Sequence, residues 1–219
     1  MQVVGITTYN RNECLYQLID ALPPCHIVVV DDHSPIPVEH PRINNLYRNS
    51  KNNGRNEWYK TVNKLFSMMM DKRANYYYMI PDDAVPIDGY FEESQRIWLD
   101  IKDKRKVSLH LTNNGREQNW TNFKRRDYNE DAFLSQTTEF HFMCQRMFLR
   151  YKIPKVNPNR WKENPLAGSG VGEGLNRFWV HRRHCNIYGV KHSLIKKSTI
   201  CTESMMNPQA RKLHGWNVL

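Results

Sequence analysis

The sequence predicts an α/β protein with a mostly parallel central sheet flanked by helices. From residue 2 to residue 112, apolar segments of strand length alternate with stretches whose apolar residues recur at helical spacing. This alternation is typical of a parallel sheet with helices packed on its faces. The chain has 219 residues and contains no Ser/Gly linker or internal repeat, so we expect a single domain.

The first strand is predicted at residues 2–8, where β-branched residues form a short apolar run. Asn10, followed three residues later by Glu13, resembles a helix capping box, and Pro23 stops the helix that follows. A second strand is predicted at residues 26–30, which are mostly Ile and Val. The apolar stripe of the first helix consists of Leu15, Leu18, Ile19 and Leu22.

A turn at Asn52-Asn53-Gly54 precedes the second predicted helix. The third strand follows at residues 76–80, and a fourth is expected at residues 107–112 after a third helix. Both helices are predicted because their apolar residues fall on one face. The two stripes are Trp58, Val62, Leu65, Phe66 and Met69, and then Phe91, Ser94, Trp98 and Ile101.

The second half of the chain has a weaker pattern. Residues 113–170 mix Asn, Trp, Arg and Pro without clean periodicity, and a long irregular region in a compact domain is more often functional than accidental. A glycine-rich segment at residues 168–174 precedes a short predicted helix with Leu175, Phe178 and Trp179 inward. We expect closing strands at residues 186–195 and a flexible basic tail at the C-terminus.

Acidic pairs follow two of the predicted strands at the point where each strand ends. Asp31 and Asp32 follow the second strand, and Asp82 and Asp83 follow the third. In α/β proteins, ligands bind in the crevice beyond the carboxyl ends of the strands. Carboxylate oxygens there suit Mg²⁺ or Mn²⁺, which bridge protein and substrate phosphates. The alternative is structural, because aspartate near a proline such as Pro86 commonly opens a turn.

The chain is strongly basic, with a net charge of +10 and a pI near 9.4. Such an excess promotes encounter with polyanions, among them nucleic acid, phosphorylated donors and anionic membranes. The alternative is a charged surface that is merely solvated. No apolar run approaches the length of a membrane span, and the N-terminal residues enter a strand pattern at once, which predicts no signal peptide.

The five cysteines are scattered, odd in number and without the spacing of a metal site. We therefore expect reduced, mostly buried thiols and a cytoplasmic location, which for a viral protein is the cytoplasm of the host cell. In that compartment the glycosylation sequon at Asn119 carries no meaning.

Three polar segments, each at the end of a predicted strand, occur in one order along the chain. They are Thr7-Thr8-Tyr9-Asn10-Arg11, Asp31-Asp32-His33-Ser34 and Asp82-Asp83. This combination resembles the nucleotide-sugar glycosyltransferases of the glycosyltransferase A fold, in particular the large family-2-like group, and it is far more specific than any one segment. The resemblance covers residues 1–100 well and residues 168–204 more loosely.

The resemblance implies one Rossmann-like glycosyltransferase domain spanning residues 1–219, with a nucleotide-sugar-binding half at 1–112 and an acceptor-binding half at 113–219. The expected donor is a nucleotide-diphosphate sugar such as a UDP-sugar, from which a hexose or pentose is transferred. Asp83 would hold a Mn²⁺ or Mg²⁺ ion that stabilises the leaving diphosphate. The residues assigned to donor binding are Thr7, Tyr9, Arg11, Asp31, Asp32, Lys60, Asp82 and Lys197.

Individual roles follow from the same resemblance. Thr7 and Tyr9 would line the nucleobase pocket, and Asp32, with Asp31 beside it, would accept hydrogen bonds from the base or the ribose. Lys60 lies near the place where such proteins put a basic contact to the donor.

The expected general base is Glu173, because residues 172–177 resemble the family's Glu-Asp-x-x-x-x-Arg-type motif. The alternative is an acid that only complements the dipole of its helix. The sequence departs from the family in three places: Pro81 replaces the first aspartate of the Asp-x-Asp motif, Gly174 replaces an aspartate, and Lys197 replaces a metal-binding histidine. A charged lysine cannot bind the ion but can contact a diphosphate, so these departures put metal dependence in question.

The irregular region supplies the predicted acceptor site, since basic and aromatic side chains can hold a nucleic-acid backbone and stack on a base. The small basic chain looks phage- or virus-like, and we expect its acceptor to be a hydroxymethylated pyrimidine in viral DNA, flipped out of the duplex. The alternatives are a protein or polysaccharide acceptor such as a capsid glycan, and a non-catalytic nucleic-acid binder with a decayed donor site. The predicted acceptor-binding residues are Trp120, Lys124, Arg125 and Arg126.

A nuclease is a further class to consider, because Pro81-Asp82 matches the start of a Pro-Asp…(Asp/Glu)-x-Lys signature. The strand predicted at residues 107–112 lacks the acid-x-Lys part. Asp100-Ile101-Lys102 has the required letters but falls on a predicted helix, so the sequence disfavours a nuclease.

Overall fold

The computed structural model of this chain describes residues 1–113, 126–135, 140–157, 159, 170–198 and 200. The strands are β1 (Gln2–Thr8), β2 (His26–Asp31), β3 (Asn45–Arg48), β4 (Tyr76–Met79), β5 (Ala84–Pro86), β6 (Lys106–His110), β7 (Arg126–Asp127), β8 (Ala132–Ser135), β9 (Phe142–Cys144), β10 (Asn186–Val190) and β11 (Ile195–Lys197). The helices are α1 (Asn12–Ala21), α2 (Gly54–Met70), α3 (Tyr90–Asp100), α4 (Arg146–Leu149) and α5 (Val171–Asn176), which continues into a π-helix (Arg177–Arg182).

The predicted fold class is confirmed: a large, mostly parallel sheet with helices on both faces. In the described residues the main sheet has nine strands in the order β3-β2-β1-β4-β9-β6-β10-β8-β7. Strands β3, β2, β1 and β4 are mutually parallel, with Thr8 of β1 opposite Asp31 of β2. The carboxyl ends of these neighbouring strands therefore lie at one edge of the sheet.

The antiparallel part of the sheet comes from the region predicted to be irregular, and among the described residues that prediction is wrong only where β7, β8, β9 and α4 form. Strand β9 lies between β4 and β6 and runs antiparallel to both. Strands β8 and β7 extend the sheet beyond β10 by antiparallel pairing. Because β9 runs opposite to β4, its first residues meet the carboxyl ends of the parallel strands.

Two hydrophobic clusters cover the two faces of the sheet. One contains apolar side chains of α1 and α3, such as Leu18 and Trp98, packed against Val4 and Ile6 of β1. The other contains residues of α2, α4 and α5 packed against Val3 and its neighbours. The alternation of Val3 and Val4 between clusters follows from the two-residue period of a strand. All the helical stripes named above thus contribute to the core.

Gly5 explains how closely α2 approaches β1. A Cβ atom at this position would lie 2.3 Å from Met69 Sδ, a distance that non-bonded atoms do not tolerate. The absence of a side chain lets the helix pack directly on the central strand.

A second, two-stranded sheet pairs β5 with β11, which the sequence did not indicate. Ala84 lies opposite Lys197, and the next residue, Ser198, donates its backbone N–H to the carbonyl of Asp83 at 2.7 Å. The late segment of the chain is thereby held beside the acidic pair that follows β4.

The start of α1 differs from the prediction. Asn10 adopts a left-handed conformation (φ 54°) and lies ahead of the helix, whose cap residue is Arg11 without a side-chain cap bond. The predicted capping box is therefore wrong. Asn10 instead donates its backbone N–H to Ser34 Oγ at 2.9 Å.

Cys25, Cys144 and Cys185 are free thiols, whereas Cys14 is disulfide-bonded, so the expectation of reduced thiols is wrong for Cys14. Among the described residues, no helix combines the length and apolarity needed to cross a bilayer.

Candidate active site

The three polar segments singled out in the sequence meet at the carboxyl edge of the sheet. Thr8, the last residue of β1, donates from Oγ1 to Asp82 Oδ2 at 2.8 Å. The backbone carbonyl of Thr8 accepts the N–H of Asp32 at 2.8 Å. One residue therefore connects the ends of β1 and β2 with the acidic pair after β4.

Arg11 joins both carboxylates of that pair. Its Nη1 lies 3.1 Å from Asp82 Oδ1 and 3.6 Å from Asp83 Oδ2. The backbone of Arg11 is fixed because its carbonyl accepts the N–H of Leu15 at the start of α1. A single guanidinium thus lies between two carboxylates at the centre of the edge.

Asp82 is an unusual carboxylate because it is only 6 % exposed. Burial raises its pKa to about 6, although the charge of Arg11 and the hydrogen bond from Thr8 both act to lower it. The neighbouring charge of Asp83 raises it further. Desolvation outweighs the ion pair here, so Asp82 changes its charge close to neutral pH.

Asp31 is fully buried and ties β2 to the loop that follows. Its Oδ1 accepts the backbone N–H of Ser34 at 2.8 Å and the hydroxyl of Ser34 at 2.5 Å. Arg48 Nε lies 3.4 Å from Asp31 Oδ2. Since Ser34 also accepts the N–H of Asn10, this carboxylate shapes the loops on both sides of the edge.

Asp32 caps the start of α2. Its carboxylate accepts hydrogen bonds from Thr61 Oγ1 at 3.0 Å and Asn49 Nδ2 at 2.6 Å, and from the backbone N–H groups of Asn53 and Gly54 at 3.1–3.2 Å. A carboxylate at a helix N-terminus is also favoured by the helix dipole. These protein contacts occupy the oxygens that the sequence assigned to base or ribose, and that assignment stays a prediction.

The other predicted donor-binding residues differ in their exposure and in the element that carries them. Thr7 is half-buried in β1, and Tyr9, which follows β1, is 45 % exposed. Lys60 is exposed on α2, where its amine pairs with Glu57. The backbone of Lys197 lies in β11 opposite Ala84, next to Asp83.

His141 also lies near Asp83 at this edge, although the sequence analysis did not identify it. It directly precedes β9, and its carbonyl accepts the N–H of Leu111 at 2.8 Å. Burial lowers the pKa of His141, while the charge of Asp83 raises it. Burial and His141 also lower the pKa of His110 to about 3. Only the antiparallel insertion of β9, which local periodicity did not reveal, brings these imidazoles here.

Thr8 and Ser34 are two further residues whose role the sequence analysis missed. Both stand inside quoted segments, yet neither received an assignment. Ser34 carries a local signal, because it follows Asp31 by three residues, whereas Thr8 carries none, because Asp82 is 74 positions away.

Glu173, the predicted base, lies in the first turn of α5. Its side chain is about half exposed and pairs with Arg177 Nη2 at 3.0 Å. The helix is anchored by the buried residues Val171 and Leu175 in the cluster that also contains α2.

Of the four predicted acceptor-binding residues, the structure describes one, Arg126. Trp120, Lys124 and Arg125 lie outside the described residues. Arg126 is exposed in β7 at the end of the sheet. Strand β7 is six places from β1 in the sheet order, which corresponds to roughly 29 Å at about 4.8 Å per strand.

A divalent metal does not fit the acidic pair as it is arranged. Asp82 directs one oxygen to Thr8 and the other to Arg11, and Arg11 also contacts Asp83. Within the described ranges, no three His, Cys, Asp or Glu side chains are grouped so that they could hold a metal. The predicted metal-binding role of Asp83 therefore has no support from this geometry.

No protein-family model matches this sequence, and no curated protein matches it. Among solved structures, the chain is similar to Staphylococcus aureus TarS residues 1–349, with a TM-score of 0.55 and 13 % identity over 90 % of this chain and 60 % of that one. A longer S. aureus TarS structure gives a TM-score of 0.55 and 12 % identity, over 90 % of this chain and 36 % of that one.

A mycobacterial protein gives a TM-score of 0.55 with 10 % identity, over 94 % of this chain and 70 % of that one. The chain thus spans less than two thirds of the length of either TarS structure. At these identities the likeness shows a shared fold.

Proposed function

We propose that this chain is a glycosyltransferase that moves a sugar from a nucleotide-diphosphate donor to an acceptor hydroxyl. One observation carries the proposal: the polar segments that end β1, β2 and β4 converge on a single edge of the sheet. In α/β folds this is the place where ligands bind. The fold shared with TarS, a glycosyltransferase, supports the same assignment.

The reaction requires one bond to form and one to break. The acceptor oxygen attacks the anomeric carbon of the sugar, and the bond from that carbon to the diphosphate oxygen breaks. The nucleoside diphosphate leaves with the electron pair, and the hydroxyl proton passes to a base. Cationic groups near the diphosphate stabilise the charge that develops on it.

We assign each role from the strand or helix that carries the residue. Tyr9 and Thr7, at the end of β1, contact the nucleobase, and Arg11 lies where the diphosphate would meet the acidic pair. Lys197, on the strand beside Asp83, contacts the diphosphate. Glu173 is the proposed base; the structure gives it an exposed carboxylate on an anchored helix.

A panel of nucleotide sugars tests the reaction. We expect one donor, with a UDP-sugar the first to examine, to release free nucleotide in the presence of the chain. Calorimetry with the same nucleotide should give heat of binding. Absence of both release and binding across UDP-, GDP-, CDP- and dTDP-sugars would contradict the proposal and favour a non-catalytic protein.

We propose that the acceptor is a hydroxymethylated pyrimidine in viral DNA. The support is the net charge of +10 and the exposed Arg126 at the end of the sheet, because excess positive charge favours polyanions. Filter binding with hydroxymethylated and plain DNA at varied salt tests it. Binding that is absent or insensitive to salt would leave a protein or polysaccharide acceptor.

A further inference from the structure

The cation at the acidic pair is a side chain of this protein. Arg11 Nη1 lies within 3.6 Å of an oxygen from each of Asp82 and Asp83, which is the place where a bridging divalent ion would have to bind. A Mg²⁺ ion needs oxygen ligands at about 2.1 Å and retains several waters. Asp82 is almost fully buried and accepts a hydrogen bond from Thr8 on one oxygen and from Arg11 on the other, so such an ion would have to displace the guanidinium of Arg11.

We infer that Arg11 is the resident cation of this carboxylate pair, and that the proposed donor site binds its nucleotide without a divalent metal. Arginine suits this place because its guanidinium stays protonated at all working pH values and presents several N–H donors to carboxylates. The inference deepens the proposed function and rests on it, since it concerns the cation at the proposed donor site.

The sequence around the site agrees with a built-in cation. Pro81 removes one carboxylate that a metal site would use, and a lysine stands at position 197 on the strand beside Asp83. The first change removes a negative charge from the segment before the pair, and the second adds a positive charge to the strand that pairs with β5. The backbone of Arg11 is held by the hydrogen bond that begins α1, since its carbonyl accepts the N–H of Leu15.

Binding of Mn²⁺, followed by electron paramagnetic resonance on the full chain, tests the inference directly. We expect the unchanged chain to leave the signal of free Mn²⁺ unaltered, both alone and with UDP. Arg11→Gln removes the resident charge and should create Mn²⁺ binding that the further change Asp83→Asn abolishes. Arg11→Lys, which keeps a cation, should bind no Mn²⁺.

The matched control is Arg146→Gln. Arg146 is exposed on α4 and donates to the carbonyl of Met70, so this variant loses the same charge away from the site and should bind no Mn²⁺. Circular dichroism checks that each variant folds. If Arg11→Gln does not fold, Mn²⁺ binding by the unchanged chain, compared with Asp83→Asn, still decides whether the pair holds a divalent metal.

Two results would overturn the inference. One is Mn²⁺ binding by the unchanged chain that Asp83→Asn removes; the other is a folded Arg11→Gln chain that binds no more Mn²⁺ than the unchanged chain. Calorimetry adds an independent readout: UDP affinity should differ by less than about twofold between Mn²⁺ and EDTA, and a gain of about tenfold or more with Mn²⁺ contradicts us. If UDP does not bind at all, the proposed function fails, while the Mn²⁺ titration still decides whether Arg11 excludes the metal.

Discussion

Thr8 Oγ1 donates a hydrogen bond to Asp82 Oδ2 at 2.8 Å, between residues 74 positions apart in the chain. The bond is buried and joins the end of the central strand β1 to the acidic pair after β4. Asp82 is thus held by a neutral donor on one oxygen and by Arg11 on the other. These two bonds connect the acidic pair directly to β1 and to the start of α1.

Replacing Thr8 should therefore weaken the fold. Thr8→Val keeps the shape of the side chain but leaves a buried carboxylate oxygen without its donor, which costs about 1–3 kcal/mol. Urea denaturation followed by circular dichroism measures the free energy of unfolding. The neighbouring Thr7→Val, at a half-buried position on the same strand, is the control and should change stability less. Equal stabilities for the two variants would argue against the buried bond.

Asp82 predicts a specific dependence of stability on pH. Because burial raises its folded-state pKa from 3.8 to about 6, its favourable contribution is complete below about pH 4 and is lost as pH rises through 6. A shift of about two pKa units corresponds to on the order of 3 kcal/mol. Asp82→Asn removes this titration while other carboxylates remain.

The measurement is the free energy of unfolding of both chains between pH 4 and pH 7. The unchanged chain should lose stability relative to Asp82→Asn as pH rises over that range. A difference that is independent of pH would mean that the ion pair with Arg11 balances desolvation, and one that moves the other way would mean that the ion pair outweighs it; either result contradicts the prediction.

Strands β1, β2 and β4 could be predicted because their signals are local, whereas the short, largely exposed strand β3 was missed. The strand preceding Asp31 and the strand preceding Asp82 are short aliphatic or aromatic runs, and a parallel sheet necessarily gathers their carboxyl ends. The placement of His141 could not be predicted, since it depends on β9 entering between β4 and β6 from far along the chain. The same applies to Arg11, whose contact with Asp82 is non-local.

The hydrogen-bond partners of Asp32 could not be predicted from the sequence either. Its position at a strand end is readable, but those partners are not. Asp32 is satisfied by the loop from Asn49 to Gly54 and by Thr61, and nothing in the spacing of those residues reveals that they fold back onto it.

Asp32 should accordingly matter for stability. Asp32→Ala leaves the backbone N–H groups of Asn53 and Gly54 at the start of α2 without their acceptor, and we expect a loss of about 2–3 kcal/mol in the free energy of unfolding. Asp88→Ala, an exposed aspartate elsewhere, should change stability by no more than about 0.5 kcal/mol. Similar stabilities for the two variants would show that the capping bonds contribute little.

Glu173 should affect turnover and leave the fold intact. Glu173→Gln cannot accept the hydroxyl proton, so we expect sugar transfer to slow by about 10²–10⁴-fold with binding of the nucleotide unchanged. Its exposed ion pair with Arg177 contributes less than about 1 kcal/mol. Arg177→Gln breaks the same pair and should leave the unfolding curve unaltered. Undiminished transfer by Glu173→Gln would assign the base to another residue.

The central claim is that the ends of β1, β2 and β4 form one nucleotide-binding edge, and amide chemical shifts during a UDP titration test it most directly. We predict that residues 8–11, 32–34 and 82–83 shift together with one dissociation constant, and that Tyr9→Ala, which alters an exposed ring, weakens binding by about tenfold, or about 1.4 kcal/mol. Shifts confined to another surface, or a Tyr9→Ala chain that binds UDP as tightly as the unchanged one, would contradict the account.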